Sequence, residues 1–204
     1  LAALPRVQFS IDHHDEAHGV NVNGLINVFD AAAAVGAKKL IYSASSSAYG
    51  DQEGLPLHER MVPNPMSPYA AQKHYGEIMA RNYALHEKLG QGMKTVSLRY
   101  FNIYGPGADP NGPYAQAIIK FVYLRKQKKK MTIFGDGRQT RDSVHVRDVV
   151  RANILALLSP KVGKGEVINI GSGRNVSVLE MAKMIGGRNY VFRPARLEPR
   201  DTRA

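Results

Sequence analysis

The sequence predicts an α/β fold in which a doubly wound parallel sheet is joined to a smaller α/β lobe. Segments of helical periodicity alternate with short apolar runs, and this alternation is typical of a doubly wound sheet. The run 39–44 is mostly apolar, as in a buried parallel strand. After Gly107 a loop of glycine, proline and asparagine interrupts the pattern. We therefore predict a main domain over residues 1–107 and mainly the lobe over 108–204.

The first half of the chain alternates between helix and strand. Apolar side chains recur at helical spacing at Val20, Leu25, Val28 and Ala32, and Gly36 ends this segment. A small polar loop follows the run 39–44, and a proline-rich loop comes next. The predicted elements are, in order, the end of a buried strand at 1–4, helix 15–35, strand 39–44, helix 68–89 and strand 95–99.

The second half contains shorter elements around the turn 135–137, whose sequence is Gly-Asp-Gly. We expect the strands near 143–146 and 167–171 to return to the main sheet, and the rest to form the lobe. The predicted elements are, in order, helix 114–127, strand 131–134, strand 143–146, helix 147–158, strand 166–170, helix 178–185 and strand 189–192.

The composition indicates an ordinary globular protein: 44% of the 204 residues are hydrophobic and 22% are charged. No run approaches the roughly 18 apolar residues that a membrane span needs, and the first residues lack a signal-peptide pattern. Cysteine is absent, which excludes disulfides and thiolate metal sites and fits a cytoplasmic protein. We predict a cytoplasmic location, no membrane partner and no bound metal.

The net charge of +11 raises nucleic acid as a partner. Part of the excess lies in the run 125–130, at the end of a predicted helix, where cations suit the helix dipole. No patch of interleaved basic and aromatic residues and no zinc-finger spacing accompanies it. We therefore predict no nucleic-acid partner and assign some of the remaining arginines to a phosphorylated small substrate.

Tyr69 and Lys73 are four residues apart in a predicted helix and share one face. A phenol normally ionises near pH ~10 and is a poor base at neutral pH. A nearby ammonium favours the phenolate, and so moves the tyrosine towards the working range of a general base. The same spacing also arises by chance, so the pair needs support from the rest of the chain.

Other polar residues converge on the same edge of the predicted sheet. The loop Ser45-Ser46-Ser47 follows one strand, and Asn102 follows another. Ligands of doubly wound sheets bind at the carboxyl ends of the strands. A solvated turn is the ordinary interpretation of three serines, but their convergence with Tyr69 favours a functional site.

With these residues the chain resembles the extended short-chain dehydrogenase/reductases, and within them the NAD-dependent nucleotide-sugar epimerase/dehydratase group. Matching segments in family order span nearly the whole chain, which makes the resemblance specific. The motifs are Asn21-Val22-Asn23-Gly24, Ser45-x-x-x-Tyr49-Gly50, Tyr69-x-x-x-Lys73, Arg99-Tyr100-Phe101-Asn102-x-Tyr104-Gly105-Pro106, Gly135-Asp136-Gly137 with Arg141-Asp142, Val144-His145-Val146-x-Asp148-Val149 and Asn169-Ile170-Gly171-Ser172-Gly173.

The resemblance implies a Rossmann-like fold, NAD as cofactor and a role for each matching residue. Tyr69 would be the catalytic base, Lys73 would lower its pKa and bind the nicotinamide ribose, and Ser45 would bind the reacting sugar hydroxyl. The remaining positions near NAD would be Leu1, Ala2, Ala3, Asn21, Ser43 and Phe101. The substrate side would comprise Ser46, Ser47, Asn102 and Arg141 with Ala117, Thr132, Phe134 and Arg200, of which Asn102 and Arg141 contact phosphate.

The family's glycine-rich phosphate turn, which places a pyrophosphate at a helix N-terminus, has no counterpart here. Gly171-Ser172-Gly173 matches a different family segment and is followed by Arg174. The resemblance therefore implies a fragment: the first strands and helices of the NAD domain would precede Leu1, and the chain would continue beyond Ala204. Such a fragment would be inactive alone.

The resemblance favours 4-epimerisation of a UDP-hexose, either UDP-glucose/UDP-galactose or the N-acetylated pair. Related 4,6-dehydratases carry an Asp-Glu pair where this chain has Ser46 and Ser47, and the glutamate of related decarboxylases is also missing from that loop. A dehydratase, decarboxylase or reductase of the family is the alternative, and a non-catalytic NAD(P)-binding scaffold is a second. The family also implies a homodimer, with the helices at 15–35 and 68–89 as the candidate interface.

Overall fold

Helices and strands alternate along the chain in the computed structural model, which describes residues 3–112, 115–195 and 201–204. The first half contains α1 (Val7–Asp12), α2 (His14–His18), α3 (Gly24–Ala34), β1 (Lys39–Ser45), α4 (Pro68–Leu85), α5 (Glu87–Gly90) and β2 (Lys94–Tyr100). The second half contains β3 (Asn102–Tyr104), α6 (Ala117–Lys126), β4 (Met131–Phe134), β5 (Thr140–His145), α7 (Val146–Leu158), β6 (Lys164–Ile170), β7 (Asn175–Ser177), α8 (Val178–Gly186) and β8 (Tyr190–Arg193).

The main sheet is parallel and has the strand order β1-β2-β6. Its carboxyl ends are aligned, because Ser45 pairs with Tyr100 and Tyr100 pairs with Ile170. The strand predicted near 167–171 lies within β6 and pairs with β2 in this sheet.

Helices cover both faces of the main sheet, which confirms the doubly wound fold class. On one face Tyr42 and Ala44 pack with Phe29 of α3 and Ala80 of α4. On the other face Val96 and Leu98 pack with Ala156 of α7. No helix among the described residues combines the length and the apolar character needed to cross a membrane.

A second sheet has the order β3-β5-β7, in which β5 runs parallel to β3 and antiparallel to β7. The strand near 143–146 thus pairs outside the main sheet, because β3 continues the chain beyond Phe101 and offers β5 an edge.

The lobe also contains the parallel pair β4-β8, whose Met131 and Ile133 pack with α6 and α8. The division of the chain into domains at residue 107 stays a prediction.

The predicted helix 15–35 is interrupted by a π-helical turn, Gly19–Asn23, between α2 and α3. A π turn adds one residue to the helical repeat and rotates the apolar face. The buried apolar side chains are consequently Ala17, Val22, Phe29 and Ala33, whereas Val28 of the predicted face is 59% exposed.

Candidate active site

A cleft of about 620 Å³ opens at the carboxyl ends of β1 and β2. It brings together Ser45, Tyr69 and Lys73, which are the three side chains predicted to be catalytic. The residues that line it are Ala3, Pro5, Val7, Ser43, Ala44, Ser45, Ser46, Ser47, Tyr69, Lys73, Tyr100, Phe101, Asn102, Ile103, Tyr104, Gly105, Pro106, Gly107, Ala108, Gln116, Ile119, Arg141, Val146 and Thr202.

The start of α4 places Tyr69 at the cleft. Ser67 caps the helix, because its hydroxyl oxygen accepts a hydrogen bond from the N–H of Ala70, and Pro68 occupies the first turn. The N–H of Tyr69 donates to Oγ of Ser10 in α1 at 3.0 Å. These contacts hold the first turn of α4, and Lys73 follows one turn later on the same face.

The ammonium of Lys73 is held against the end of β1. Its Nζ donates to the carbonyl oxygen of Ser43 at 2.8 Å and lies 5.3 Å from the centre of the Tyr42 ring. Burial disfavours the charged form and lowers the pKa of Lys73 to about 8. An ammonium has three donors, so Lys73 can bind the protein and a ligand together.

Tyr42 supports α4 from beneath. Its hydroxyl donates to the carbonyl oxygen of Lys73 at 3.3 Å. Burial raises the pKa of Tyr42, and the nearby Tyr69 and Glu77 raise it further, so Tyr42 stays protonated. A Cβ atom at Gly76 would overlap the Tyr42 hydroxyl oxygen. Glycine at position 76 therefore permits this close approach of strand and helix.

The serine loop prepares Ser45 as a hydrogen-bond donor. Oγ of Ser45 accepts from the N–H of Ser47 at 3.2 Å and from the hydroxyl of Ser47 at 2.9 Å. With its acceptor positions used in this way, the hydroxyl hydrogen of Ser45 can point to an oxygen atom in the cleft.

One wall of the cleft, formed by β3 and β5, carries a cation and an amide. Nη1 of Arg141 donates to the carbonyl oxygen of Thr140 at 2.7 Å, and Nδ2 of Asn102 donates to the carbonyl oxygen of Asp142 at 3.2 Å. Arg141 and Asn102 both line the cleft. A guanidinium can bind two phosphate oxygens at once, so this wall suits a phosphorylated ligand.

Carboxylates are missing from the described residues that line the cleft, among which Lys73 and Arg141 are the charged side chains. Ser46 and Ser47 occupy the positions that follow Ser45. The described lining therefore offers hydroxyl, amide and cationic groups and no pair of carboxylates.

The sequence model for the NAD dependent epimerase/dehydratase family matches residues 1–171. The chain belongs to this family. The match covers the main sheet, both helices that pack against Tyr42, and most of the residues that line the cleft.

Relatives in the epimerase/dehydratase family have more than one activity. The chain is 35% identical over 189 residues to the UDP-glucose 4-epimerase of Mycolicibacterium smegmatis, covering 92% of this chain and 58% of the relative. It is 36% identical over 192 residues to the UDP-N-acetyl-alpha-D-glucosaminuronate decarboxylase of Bacillus cytotoxicus, covering 91% and 56%. The chain thus spans little more than half the length of these curated relatives.

Solved structures of the family share the fold. The crystal structure of UDP-glucose 4-epimerase from Thermotoga maritima with UDP-glucose aligns with a TM-score of 0.91 and 33% identity. The alignment covers 100% of this chain and 66% of that chain. The Rossmann-like fold expected from the sequence is confirmed.

Several predicted site residues lie away from the cleft wall. Asn21 is 6% exposed, and its amide bonds the N–H and carbonyl of Leu4 and the side chain of Gln72. It thereby holds the segment next to Ala3, which does line the cleft. Ala117, Thr132 and Phe134 are not among the lining residues, and Leu1, Ala2 and Arg200 lie outside the described residues. The roles assigned to these residues stay predictions.

Other cleft residues were not foreseen. Tyr100 receives a hydrogen bond from Oγ of Ser43 at 3.4 Å and donates one to Asn153 at 2.9 Å. Tyr104 belongs to one of the family motifs, which could have indicated it. Val7 and Thr202 come from segments remote in sequence, and no local pattern marks them as lining residues.

Proposed function

We propose that this chain supplies the catalytic residues of an NAD-dependent UDP-hexose 4-epimerase. The observation that carries the proposal is the meeting of Ser45, Tyr69 and Lys73 in one cleft whose described lining contains no carboxylate. Epimerisation needs one proton acceptor that later returns the proton. The proposed substrates are UDP-glucose and UDP-galactose or their N-acetylated counterparts.

The residues on one side of the cleft fit NAD. Lys73 retains donors for ribose hydroxyls beyond its bond to Ser43, and Ala3 and Phe101 add apolar lining to the cleft. Bound there, NAD would supply the hydride acceptor and donor that epimerisation at C4 needs. The wall formed by β3 and β5, with Asn102 and Arg141, is assigned to the diphosphate of the UDP-sugar.

The proton path follows from the three side chains. Tyr69 removes the proton of the 4-hydroxyl, and the ammonium of Lys73 stabilises the phenolate form of the base. Ser45 donates a hydrogen bond to the same sugar oxygen. After the 4-keto sugar rotates, Tyr69 returns a proton to its oxygen, so the base is regenerated.

Dehydration, another activity of the family, needs groups that the described lining lacks. A 4,6-dehydratase eliminates water and requires an additional proton donor and acceptor, and the two serines after Ser45 cannot replace a carboxylate pair. Decarboxylation is an alternative function, because one of the relatives is a decarboxylase. A non-catalytic NAD(P)-binding scaffold would not need Ser45, Tyr69 and Lys73 together.

The test is product analysis with the full-length protein. It is incubated with UDP-glucose, UDP-GlcNAc and their 4-epimers, and products are separated and identified by NMR. We expect interconversion of at least one epimeric pair. A 4-keto-6-deoxy product without an epimer would reassign the protein as a dehydratase, and carbon dioxide release from a UDP-uronic acid would reassign it as a decarboxylase.

The pKa of Lys73 makes a separate prediction about pH. Because this pKa is about 8, the ammonium is present below pH 8 and is lost as the pH rises through that value. Without the cation the phenolate of Tyr69 is less favoured, so kcat/KM should fall above pH 8. Lys73→Arg keeps a cation at these pH values and should lack this alkaline decline. An identical decline in both proteins would contradict the assignment.

The expected homodimer and cytoplasmic location stay predictions. Helices α3 and α4 expose apolar side chains on their outer faces, with Val28 59%, Ile78 46% and Leu85 55% exposed. A second copy of the protein could cover them in a four-helix interface. Light scattering that gives the mass of one full-length subunit would contradict the dimer.

A further inference from the structure

Asp142 on β5 takes no part in the proton path, yet it is completely buried. Its Oδ1 accepts from the N–H and the hydroxyl of Ser172, both at 2.7 Å. Its Oδ2 accepts from the N–H groups of Gly173 and Ala204, both at 3.0 Å. A carboxylate has about four acceptor positions, so the protein uses the full capacity of this side chain. Asp142 therefore cannot serve as a ligand-binding group itself.

The main chain of Asp142 connects this buried carboxylate to the cleft. Its N–H donates to Oγ1 of Thr202 at 3.2 Å, and its carbonyl oxygen accepts from Nδ2 of Asn102 at 3.2 Å. Arg141 is its neighbour in β5 and points to the other face of the strand. Asn102, Arg141 and Thr202 all line the cleft. Asp142 thus sits behind three residues of one wall.

The loop 171–173 is shaped around Asp142. A Cβ atom at Gly171 would lie 2.9 Å from Oδ2 of Asp142 and 2.5 Å from Cβ of Ala204. Gly173 has a φ of +73°, a conformation that favours glycine. The proposed reaction does not use this Gly-Ser-Gly motif. Instead, the N–H groups of Ser172 and Gly173 donate to the buried carboxylate, and Gly171 leaves room for it.

The segment 201–204 depends on the same residue. Asp142 holds it twice, through Thr202 and through Ala204. Asp201 adds a neighbouring contact, because its Oδ1 accepts from the N–H and hydroxyl of Thr140 at 3.0 and 2.7 Å. Loss of the Asp142 carboxylate would release the loop 171–173 and one end of this segment together.

We propose that Asp142 is a positioning residue for UDP-sugar binding, which holds Asn102, Arg141 and Thr202 in place from behind the cleft wall. The inference rests on the proposed function, because that wall is assigned to the nucleotide diphosphate. The NAD side, around Lys73 and Ser43, makes none of the contacts described for Asp142. Substrate binding should therefore respond to Asp142 far more than NAD binding.

The test compares UDP and NAD affinities of the full-length protein by titration calorimetry. Asp142→Asn replaces an acceptor oxygen by an NH₂ group that faces other donors. We expect the Kd of UDP to rise about tenfold or more, while the Kd of NAD changes by less than about twofold. Ser172→Ala removes one hydroxyl bond and should raise the Kd of UDP about threefold. Asp15→Asn, at an exposed aspartate of α2 that belongs to none of the family motifs, is the matched control and should leave both affinities unchanged.

The thermal unfolding midpoint shows whether each variant is folded before its affinities are compared. An unchanged Kd of UDP in Ser172→Ala and in folded Asp142→Asn overturns the inference. Equal losses of UDP and NAD affinity also overturn it, because they indicate a general structural role. If Asp142→Asn does not fold, Ser172→Ala alone decides. Failure of the unaltered protein to bind UDP would instead overturn the proposed function.

Discussion

Replacing Tyr69 by phenylalanine is expected to lower the turnover number of the full-length protein by between about 10² and 10⁴. The variant retains the ring and the N–H that binds Ser10, and loses only the hydroxyl that exchanges the proton. KM for the UDP-sugar and the affinity for NAD should therefore change little. Steady-state conversion of UDP-glucose into its epimer, followed by chromatography, measures the effect.

Tyr75→Phe is the matched control for this prediction. Tyr75 lies on the same helix α4, is 38% exposed and does not line the cleft. The loss of its hydroxyl should leave turnover unchanged. Near-normal turnover in Tyr69→Phe would refute the assignment of Tyr69 as the base, and an equal loss in both variants would indicate damage to α4.

Replacing Arg99 by methionine is expected to lower the free energy of unfolding by about 3–5 kcal/mol. Arg99 of β2 and Glu77 of α4 are 2% and 3% exposed, and they form two hydrogen bonds of 2.7 and 2.6 Å. The guanidinium also lies 4.4 Å from the centre of the Tyr49 ring, next to the serine loop. Without Arg99 the buried Glu77 carboxylate loses its permanent opposite charge and keeps the His74 ring, whose Nδ1 lies 3.2 Å from Oε2, as a side-chain partner. Urea denaturation of the full-length protein measures the loss.

The double variant Glu77→Leu/Arg99→Met tests the physical cause. A buried ion pair contributes little net stability, because desolvation of both charges offsets their attraction. Removing both charges should therefore recover most of the stability that Arg99→Met loses. Arg151→Met, at an exposed arginine of α7, should change stability by no more than about 0.5 kcal/mol. If the double variant is no more stable than Arg99→Met, the uncompensated charge of Glu77 is not the cause.

Elements with a long or strongly apolar pattern were predictable from the sequence. The strand 39–44 and the helix from residue 68 lie where expected, as β1 and α4. The three-residue strands β3 and β7 were not predicted, because so short a segment carries no periodic pattern. The apolar face of the helix at 15–35 was predicted wrongly, because Val28 of that face is exposed. No feature of the sequence indicates the π turn at Gly19–Asn23 that rotates the face.

The candidate site divides in the same way. Ser45, Tyr69 and Lys73 belong to short motifs with defined spacing, and the parallel sheet brings such loops and helix starts to one edge. Asp142 was visible only as the neighbour of Arg141. Its importance arises from the hydrogen bonds of Ser172, Gly173 and Ala204, which are 30 to 62 positions away.

The sequence by itself determined the alternating α/β architecture, the family resemblance and the residues that carry the proposed proton transfer, because each depends on local pattern or fixed spacing. Only the tertiary structure decided that β5 pairs with β3 and β7, that Arg99 of β2 neutralises Glu77 of α4, and that the buried Asp142 accepts hydrogen bonds from Ser172, Gly173 and Ala204. Those features depend on hydrogen bonds and ion pairs between residues that are far apart in sequence. They form because a folded chain pairs most of its buried polar groups.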